Sequence, residues 1–274
     1  ADGLWSTVRQ SVKPGSVPRP AGATAMRSVI PAEAAGGLGT GVVGVWLSPV
    51  AHVVHYPVRA GRDVAVVVIA RSDSTQHDRA APRSVWDAQA SLPRLQATLA
   101  PFHASLRNVL LPELVPANSP PRVPRATTNG AARITPWRWR EWTLHTLPPL
   151  RTWRRGRVAL IGDAAHPMLP YLAQGGALAL EDAVVMGHCL HETDDPVAAL
   201  ARFDSLRAQR AARVQAASRR QGGIYHLSPP LSWARDAVLA AAPGNRLMVA
   251  YDWLYAWRPP EAVAGAQGVA SRED

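Results

Sequence analysis

Three valine-rich runs, residues 41–47, 51–58 and 63–71, follow one another with only three or four residues between them. Links that short join antiparallel strands, because a parallel crossover needs a dozen residues or more. The runs are bounded by Gly, Pro and Arg, which is strand punctuation. With a further strand over residues 23–30, the expectation is a twisted antiparallel sheet. Between Val85 and Leu111, the residues Leu92, Leu95, Leu99, Phe102, Leu106 and Leu110 recur at helical spacing, with Pro93 and Pro101 between them. One or two short helices should therefore follow the sheet. Residues 14–20 and 116–130 are proline-rich and read as irregular connections. Trp137 and Trp139 then alternate along one side of an extended segment. With Trp142, Arg138 and Arg140 nearby they suit core packing, the commoner use, or stacking on bases.

A different pattern starts at residue 157. Arg157 to Ile161 reads as a compact strand ended by Gly162, and Gly175-Gly176 opens a run from Ala177 to Leu190 with the composition of a buried helix. Strand, glycine turn and helix outline a nucleotide site: a carboxylate at Asp163 accepts hydrogen bonds from sugar-like hydroxyls, while backbone N–H groups and the helix dipole attract anions. The alternative is that Asp163 merely caps a turn. Asp195-Pro196 reads as an N-cap and first-turn pair starting a helix whose Val197, Leu200 and Phe203 face inward. Further helices are expected over residues 232–242 and 245–257, with a frayed end over 261–274. No internal repeat is visible.

The formal charge of +10 raises the question of an acidic partner, yet Lys13 is the only lysine and the arginines are scattered from Arg9 to Arg272. Their densest run, Arg207, Arg210, Arg213, Arg219 and Arg220, is expected on the solvated face of one helix. Small-anion binding suits this pattern better than DNA, so no nucleic-acid partner is expected. The longest apolar run, residues 64–70, is far too short to span a membrane. The single Cys189 cannot form an internal disulfide, and a cytoplasmic setting fits it. His188, Cys189, His191 and Glu192 invite a metal reading, but neither HExxH nor HxxEH spacing is present, and histidines suit a helix C-terminus on dipole grounds alone. No metal is expected, and without a GxSxG elbow neither is a serine hydrolase.

The string GDAAHPMLPYLAQGGALALEDA, residues 162–183, resembles the second flavin-binding motif of the single-component FAD-dependent aromatic hydroxylases, and ADGLWSTVR, residues 1–9, resembles their Asp-Gly motif. Residues 52–58 (HVVHYPV), 153–163 (WRRGRVALIGD) and 224–257 are similar to the branch that contains salicylate hydroxylase and 3-hydroxybenzoate 6-hydroxylase. The resemblance implies a mixed α/β (α+β) fold like that of p-hydroxybenzoate hydroxylase, a partial FAD-binding Rossmann-like domain with an inserted antiparallel-sheet substrate domain. The expected divisions are residues 1–12 as an edge of the FAD domain, 13–148 as the substrate domain, 149–222 as the return to the FAD domain, 223–260 as C-terminal helices and 261–274 as a tail. Three departures stand out. The family's strand–GxGxxG–helix unit would lie before Ala1, so the chain reads as a fragment. Ala177 stands where relatives usually have asparagine, and Ala25-Met26-Arg27-Ser28 replaces the usual Trp-Arg-Gly.

Carried over by position, the resemblance gives Asp163 to the ribityl or ribose hydroxyls, with Gly162 beside it among the cofactor-binding residues. It gives Pro167, Leu172, Gln174, Gly175 and Gly176 to the isoalloxazine and its pyrimidine edge, and Asp2 with Arg9 to the support of cofactor and nicotinamide. For Arg9 an ordinary surface ion pair is the equal alternative. Strand alternation sets His52, Val54 and Tyr56 on one face and His55 on the other. His52 can accept a phenolic proton while Tyr56 bonds a ring substituent or carboxylate; the bland alternative has His52 in solvent and Tyr56 in the core. The implied activity is a flavin-dependent monooxygenase: NADH or NADPH reduces FAD, and O2 activated on the reduced flavin hydroxylates a phenolic or benzoate-type ring. Its partners would be a small aromatic substrate and O2, without nucleic acid or membrane, and a homodimer is compatible. The alternatives are a truncated, non-catalytic remnant of such an enzyme and a basic nucleic-acid binder.

Overall fold

The structure, a computed structural model, describes residues 1–39, 41–72, 88–111, 137–242 and 244–259. The loop expected over 116–130 and the tail over 261–274 lie outside the described residues. Two compact units emerge: one comprises Ala1–Arg19, His145–Ile224 and Trp233–Asp274, the other Pro20–Leu144 and Tyr225–Ser232.

The second unit is built on a six-stranded sheet of β1 (Arg19–Pro31), β2 (Gly44–Leu47), β3 (Ala51–Val58), β4 (Asp63–Arg71), β5 (Ala88–Gln89) and β6 (Arg140–Thr146), in the order β2-β3-β4-β1-β6-β5. β3 and β4 occupy the runs that the valine pattern marks out. They pair antiparallel, Val53 opposite Val68 and His55 opposite Val66, and β2 pairs antiparallel with β3. β1 is longer than expected. It starts at Arg19 and carries Pro20 in its first positions, where a missing N–H is tolerated. α2 (Leu92–Leu99) and α3 (Ala104–Leu110) follow, as the leucine spacing requires. Leu95, Leu99, Phe102, Leu106 and Leu110 form one core with Met26, Ile30, Val53, Val66 and Val68. Trp139 is buried in that core, and Trp137 packs against it while its indole N–H donates to the Val109 carbonyl at 2.8 Å. These two tryptophans are packing residues.

The first unit has α1 (Val8–Val12), a two-stranded pair of β7 (Arg154–Arg155) and β8 (Val158–Ala159), α4 (Gly175–His191) and α5 (Pro196–Tyr225). The strand expected over 157–161 is shorter than its apolar run. Pairing continues only through the Leu160 N–H to the Trp153 carbonyl, and then Gly162 turns the chain at φ +59. α5 starts where Asp195-Pro196 predicts, the Asp195 carboxylate accepting from the Val197 N–H at 2.9 Å. α4 differs from the fully buried helix its composition suggests. Leu178, Val185 and Cys189 are buried, whereas Ala177, Leu180, Ala183, Val184 and Leu190 form an exposed apolar stripe. α6 (Leu231–Ala241) runs where expected, but the helix expected over 245–257 is broken into α7 (Gly244–Val249) and α8 (Asp252–Tyr255). At the break the Tyr251 hydroxyl donates to Gln221 Oε1 at 2.7 Å, tying it to α5.

One close approach inside the sheet makes glycine necessary. The His55 ring lies across Gly44, so that a Cβ at residue 44 would come within 2.0 Å of His55 Nε2. His55 is buried, so the ring cannot swing out to solvent without disturbing its surroundings. Gly44→Ala is expected to destabilise the protein by about 1–3 kcal/mol, the usual cost of overpacking, as read by chemical denaturation.

Candidate functional site

Asp182 on α4 is fully buried and accepts three kinds of donor. Its carboxylate takes the Gly162 N–H at 2.9 Å and His166 Nε2 at 2.6 Å on Oδ2, and Arg207 Nε from α5 at 2.9 Å on Oδ1. Burial opposes its ionisation. The hydrogen bond and charge from His166, the Gly162 N–H and Arg207 outweigh that cost, and the carboxyl is held below the usual range. Arg207 also meets Glu181 at 2.7 Å, and Arg210 grips the same carboxylate with Nε at 2.6 Å and Nη2 at 2.7 Å. Arg213 stacks over Trp253 at 4.1 Å. The arginine run of α5 corrects the expectation of a solvated face only in part: Arg207 is interior and Arg210 is half-buried, whereas Arg213, Arg219 and Arg220 are exposed.

This carboxylate fixes what Gly162 and Asp163 present. Residues Gly162–Ala164 form a tight 3-10 turn, and the φ of +59 at Gly162 is a backbone state that favours glycine. A Cβ there would lie 3.5 Å from Ala179, which sets the turn against the first turns of α4. Arg9 brackets the turn: its guanidinium donates to the carbonyls of Ala164 at 3.0 Å, Leu4 at 2.6 Å and Ser16 at 3.5 Å. It is only 1% exposed, which excludes the surface ion pair. Asp2 caps α1, accepting from the Thr7 N–H at 2.8 Å and the Val8 N–H at 3.1 Å. Hydrogen bonding, with Ser6 first and the backbone N–H groups of Val8, Thr7 and Asp2 itself following, outweighs burial and lowers its carboxyl to about 2.

Asp163 itself points outward and, among the described residues, has no hydrogen-bond partner within the chain. Crowding by the surrounding chain still lifts its carboxyl above the ordinary value, against the charge of His166. Beyond it, Pro167 and Leu172 are buried, Ala173 turns at φ +53, and buried Gln174 precedes α4 without a side-chain cap. Cβ atoms at Gly175 and Gly176 would meet nothing within 4 Å, so the open N-terminus of this 17-residue helix can be approached closely. His166 Nδ1 is a buried nitrogen without a partner among the described residues. An unpaired carboxylate beside an uncapped, open helix start is a donor-and-acceptor set that fits a cofactor with both hydroxyls and an electron-rich edge.

In the sheet unit, His52 and Tyr56 stand on the face of β3 opposite Val53, which joins the core with α2 and α3. His52 is buried rather than in solvent, and its Nδ1 lies 3.0 Å from His226 Nε2. Burial, and secondarily His226, lowers its pKa to about 3. Tyr56 is half-buried, and among the described residues its hydroxyl has no partner within the chain. The two positions lie roughly 13 Å apart along an ideal strand.

Cys189 is buried, which pushes its thiol up; Arg202 opposes this and Glu192 adds to it. His188 pairs with Glu192 at 2.9 Å, and among the described residues no group of three or more His, Cys, Asp and Glu is placed to hold a metal. No described helix is long and apolar enough to cross a membrane. Sequence reasoning missed Asp182, His166, Arg207 and His226. Asp182 and His166 lay within the quoted glycine-rich string, and Glu181-Asp182 inside an otherwise apolar helix was the signal that a cation had to meet them.

A family described as FAD binding domain matches residues 112–221. The 3-hydroxybenzoate 6-hydroxylase 1 of Aquipseudomonas alcaligenes is 32% identical over 257 residues, covering 93% of this chain and 58% of that protein. Salicylate hydroxylase of Pseudomonas putida is 31% identical over 279 residues, covering 93% and 57% respectively. The chain thus spans 57–58% of the length of these curated relatives. Among solved structures, a salicylate hydroxylase substrate complex superposes with a TM-score of 0.73 at 24% identity, covering 99% of this chain and 64% of that one. Klebsiella pneumoniae HpxO complexed with FAD and uric acid gives 0.70 at 23%, covering 91% and 57%. The mixed α/β architecture with an antiparallel sheet is the p-hydroxybenzoate-hydroxylase-like fold that was expected.

Two outcomes test the brace. Asp182→Asn leaves Arg207 buried without its charge partner and is expected to cost about 3–5 kcal/mol. Because the folded carboxyl titrates below its unfolded value, its contribution is complete above the unfolded pKa and is lost as pH falls through the folded one. Urea titrations from pH 7 downward should show wild-type stability declining below about pH 4, with a shallower decline in Asp182→Asn. Gly162→Ala should cost about 1–3 kcal/mol through the left-handed turn, measured the same way.

Proposed function

From the similarity of this chain, along nearly its whole length, to the single-component FAD-dependent aromatic hydroxylases, we propose that it carries the substrate domain and the second flavin-binding segment of an aromatic-ring monooxygenase. The observation that supports this best is the Gly162–Asp163 turn, braced from within and presenting an unpaired carboxylate next to the open start of α4. FAD, reduced by NADH or NADPH, supplies the redox and oxygen chemistry when bound. Asp163 accepts hydrogen bonds from its ribityl or ribose hydroxyls. The N–H groups of Gly175 and Gly176 and the dipole of α4 favour negative charge at the pyrimidine edge. Pro167, Leu172 and Gln174 line the ring system and limit water, while Asp2 and Arg9 hold the segment that supports it.

The substrate in this reading is a phenol, most simply a hydroxybenzoate. His52 takes the phenolic proton, which raises the electron density of the ring for attack on an electrophilic oxygen. Tyr56 donates to the carboxylate or ring substituent and orients the ring. A base whose pKa lies near 3 stays neutral at pH 7 with its lone pair available. Its weakness limits it to accepting a proton that is already leaving. The single buried cysteine accords with a cytoplasmic setting.

The test is hydroxylation of hydroxybenzoates with FAD, NADH or NADPH, and O2. His52→Ala should lower the coupled hydroxylation rate by about 10²–10⁴-fold without changing FAD affinity; unchanged coupling in the variant would remove His52 from the base role. The pH profile should show no acid limb near 6.5, the ordinary imidazole value, because the folded His52 stays deprotonated down to about 3.

A further inference from the structure

The register of the sheet sets an arginine on the face that carries His52 and Tyr56. Arg27 on β1 stands opposite Val67 on β4, and Val67 stands opposite Val54 on β3. Val54 lies between His52 and Tyr56 along β3, so Arg27 occupies the row midway between theirs. Met26 and Ile30 join the core with α2 and α3, and alternation therefore turns Arg27 to the opposite face. β1 is an interior strand, between β4 and β6, yet Arg27 and Val29 are exposed. The face is thus open at this point, whereas Ala25, Ile69 and His52 in the adjoining row are buried. Among the described residues the Arg27 guanidinium has no hydrogen-bond or ion-pair partner within the chain.

We propose that Arg27 determines specificity by binding the carboxylate of an aromatic acid whose ring lies on this face between the rows of His52 and Tyr56. The proposal rests on the reading of those two residues as substrate contacts. The guanidinium offers paired N–H donors in the planar geometry that a carboxylate matches. The valines in its row and beside it offer apolar surface that a ring removes from water. β1 is two strand spacings from β3, roughly 10 Å, so the acid group and the phenolic hydroxyl are gripped at separate points. Arg71, exposed at the end of β4 on the same face, stands opposite Ala23 and lies two rows from Arg27, beyond the row of His52. Asp63, at the other end of β4, is engaged by Arg59 at 3.1 Å. Arg27 is therefore the cation whose row falls between the two substrate contacts.

Isothermal titration calorimetry of the purified chain at pH 7 reads this contact without turnover. The probes are 2-, 3- and 4-hydroxybenzoate and the amide of whichever acid binds most tightly. The wild type is expected to favour the acid over its amide by about 10–100-fold, the range of a charge-assisted hydrogen bond. Arg27→Leu should abolish that preference, and Arg27→Lys, which keeps a point charge without the planar fork, should retain part of it. Arg71→Leu should leave it unchanged. Both arginines are exposed, so these substitutions leave the buried core untouched. Equal affinity for acid and amide in the wild type, an unaltered preference in Arg27→Leu, an equal loss in Arg71→Leu, or no saturable binding of any of the three acids would overturn the proposal. His52→Ala should keep the preference for the acid while losing coupled hydroxylation, so failure of the base reading is distinguishable from failure of this one.

Discussion

The Asp182 carboxylate is the interaction on which the first unit depends. Buried and charged, it can persist only with its lone pairs filled, and the structure fills them from three directions: the Gly162 backbone, the His166 ring and the Arg207 guanidinium. Two donors come from the glycine turn and its exit at His166 and the third from α5, so satisfying one carboxylate fixes the turn and the placement of α5 on α4. His166 is further held by Trp153, whose ring lies 4.8 Å away. Arg9 completes the arrangement by tying the Ala164 carbonyl to the Leu4 and Ser16 segments. Asp182, Arg207 and Arg9 are thereby committed inward, and Asp163 is the carboxylate of the turn that has no hydrogen-bond partner among the described residues.

The sheet unit reaches its chemistry by a different route. Alternation along β3 sends Val53 and His55 to one side and His52 and Tyr56 to the other. On the first side the price is close packing, seen where the His55 ring occupies the space a side chain at Gly44 would need. On the second, His52 is buried away from water and its Nδ1 lies 3.0 Å from His226 Nε2. Desolvation thus keeps the His52 imidazole neutral down to about pH 3.

Much of the fold was legible because it follows from local periodicity. Strands β3 and β4, the helices of the 85–111 region and the start of α5 at Asp195-Pro196 lie where alternation, leucine spacing and capping put them. The corrections come from long-range contacts that no local pattern encodes. The run of arginines on α5 reads as a solvated face until Glu181 and Asp182, about one helix away in space yet 25 or more residues away in sequence, claim Arg207 and Arg210. At the break between α7 and α8 a similarly distant partner, Gln221, accepts from the Tyr251 hydroxyl. For the site, the glycine-rich string and the His52–Tyr56 strand were visible as motifs. The residues that hold them, Asp182, His166 and His226, were not, because their roles exist only through partners across the chain.

The central claim is that the braced turn offers Asp163 and the start of α4 to a flavin. Titration of FAD into the purified chain, followed by flavin fluorescence and compared with Asp163→Ala, addresses it most directly. Saturable binding by the wild type, weakened about 10–100-fold in the variant as loss of charge-assisted hydrogen bonds predicts, is the outcome expected. Equal affinity in the two proteins, or no saturable binding by a folded wild-type chain, would contradict it.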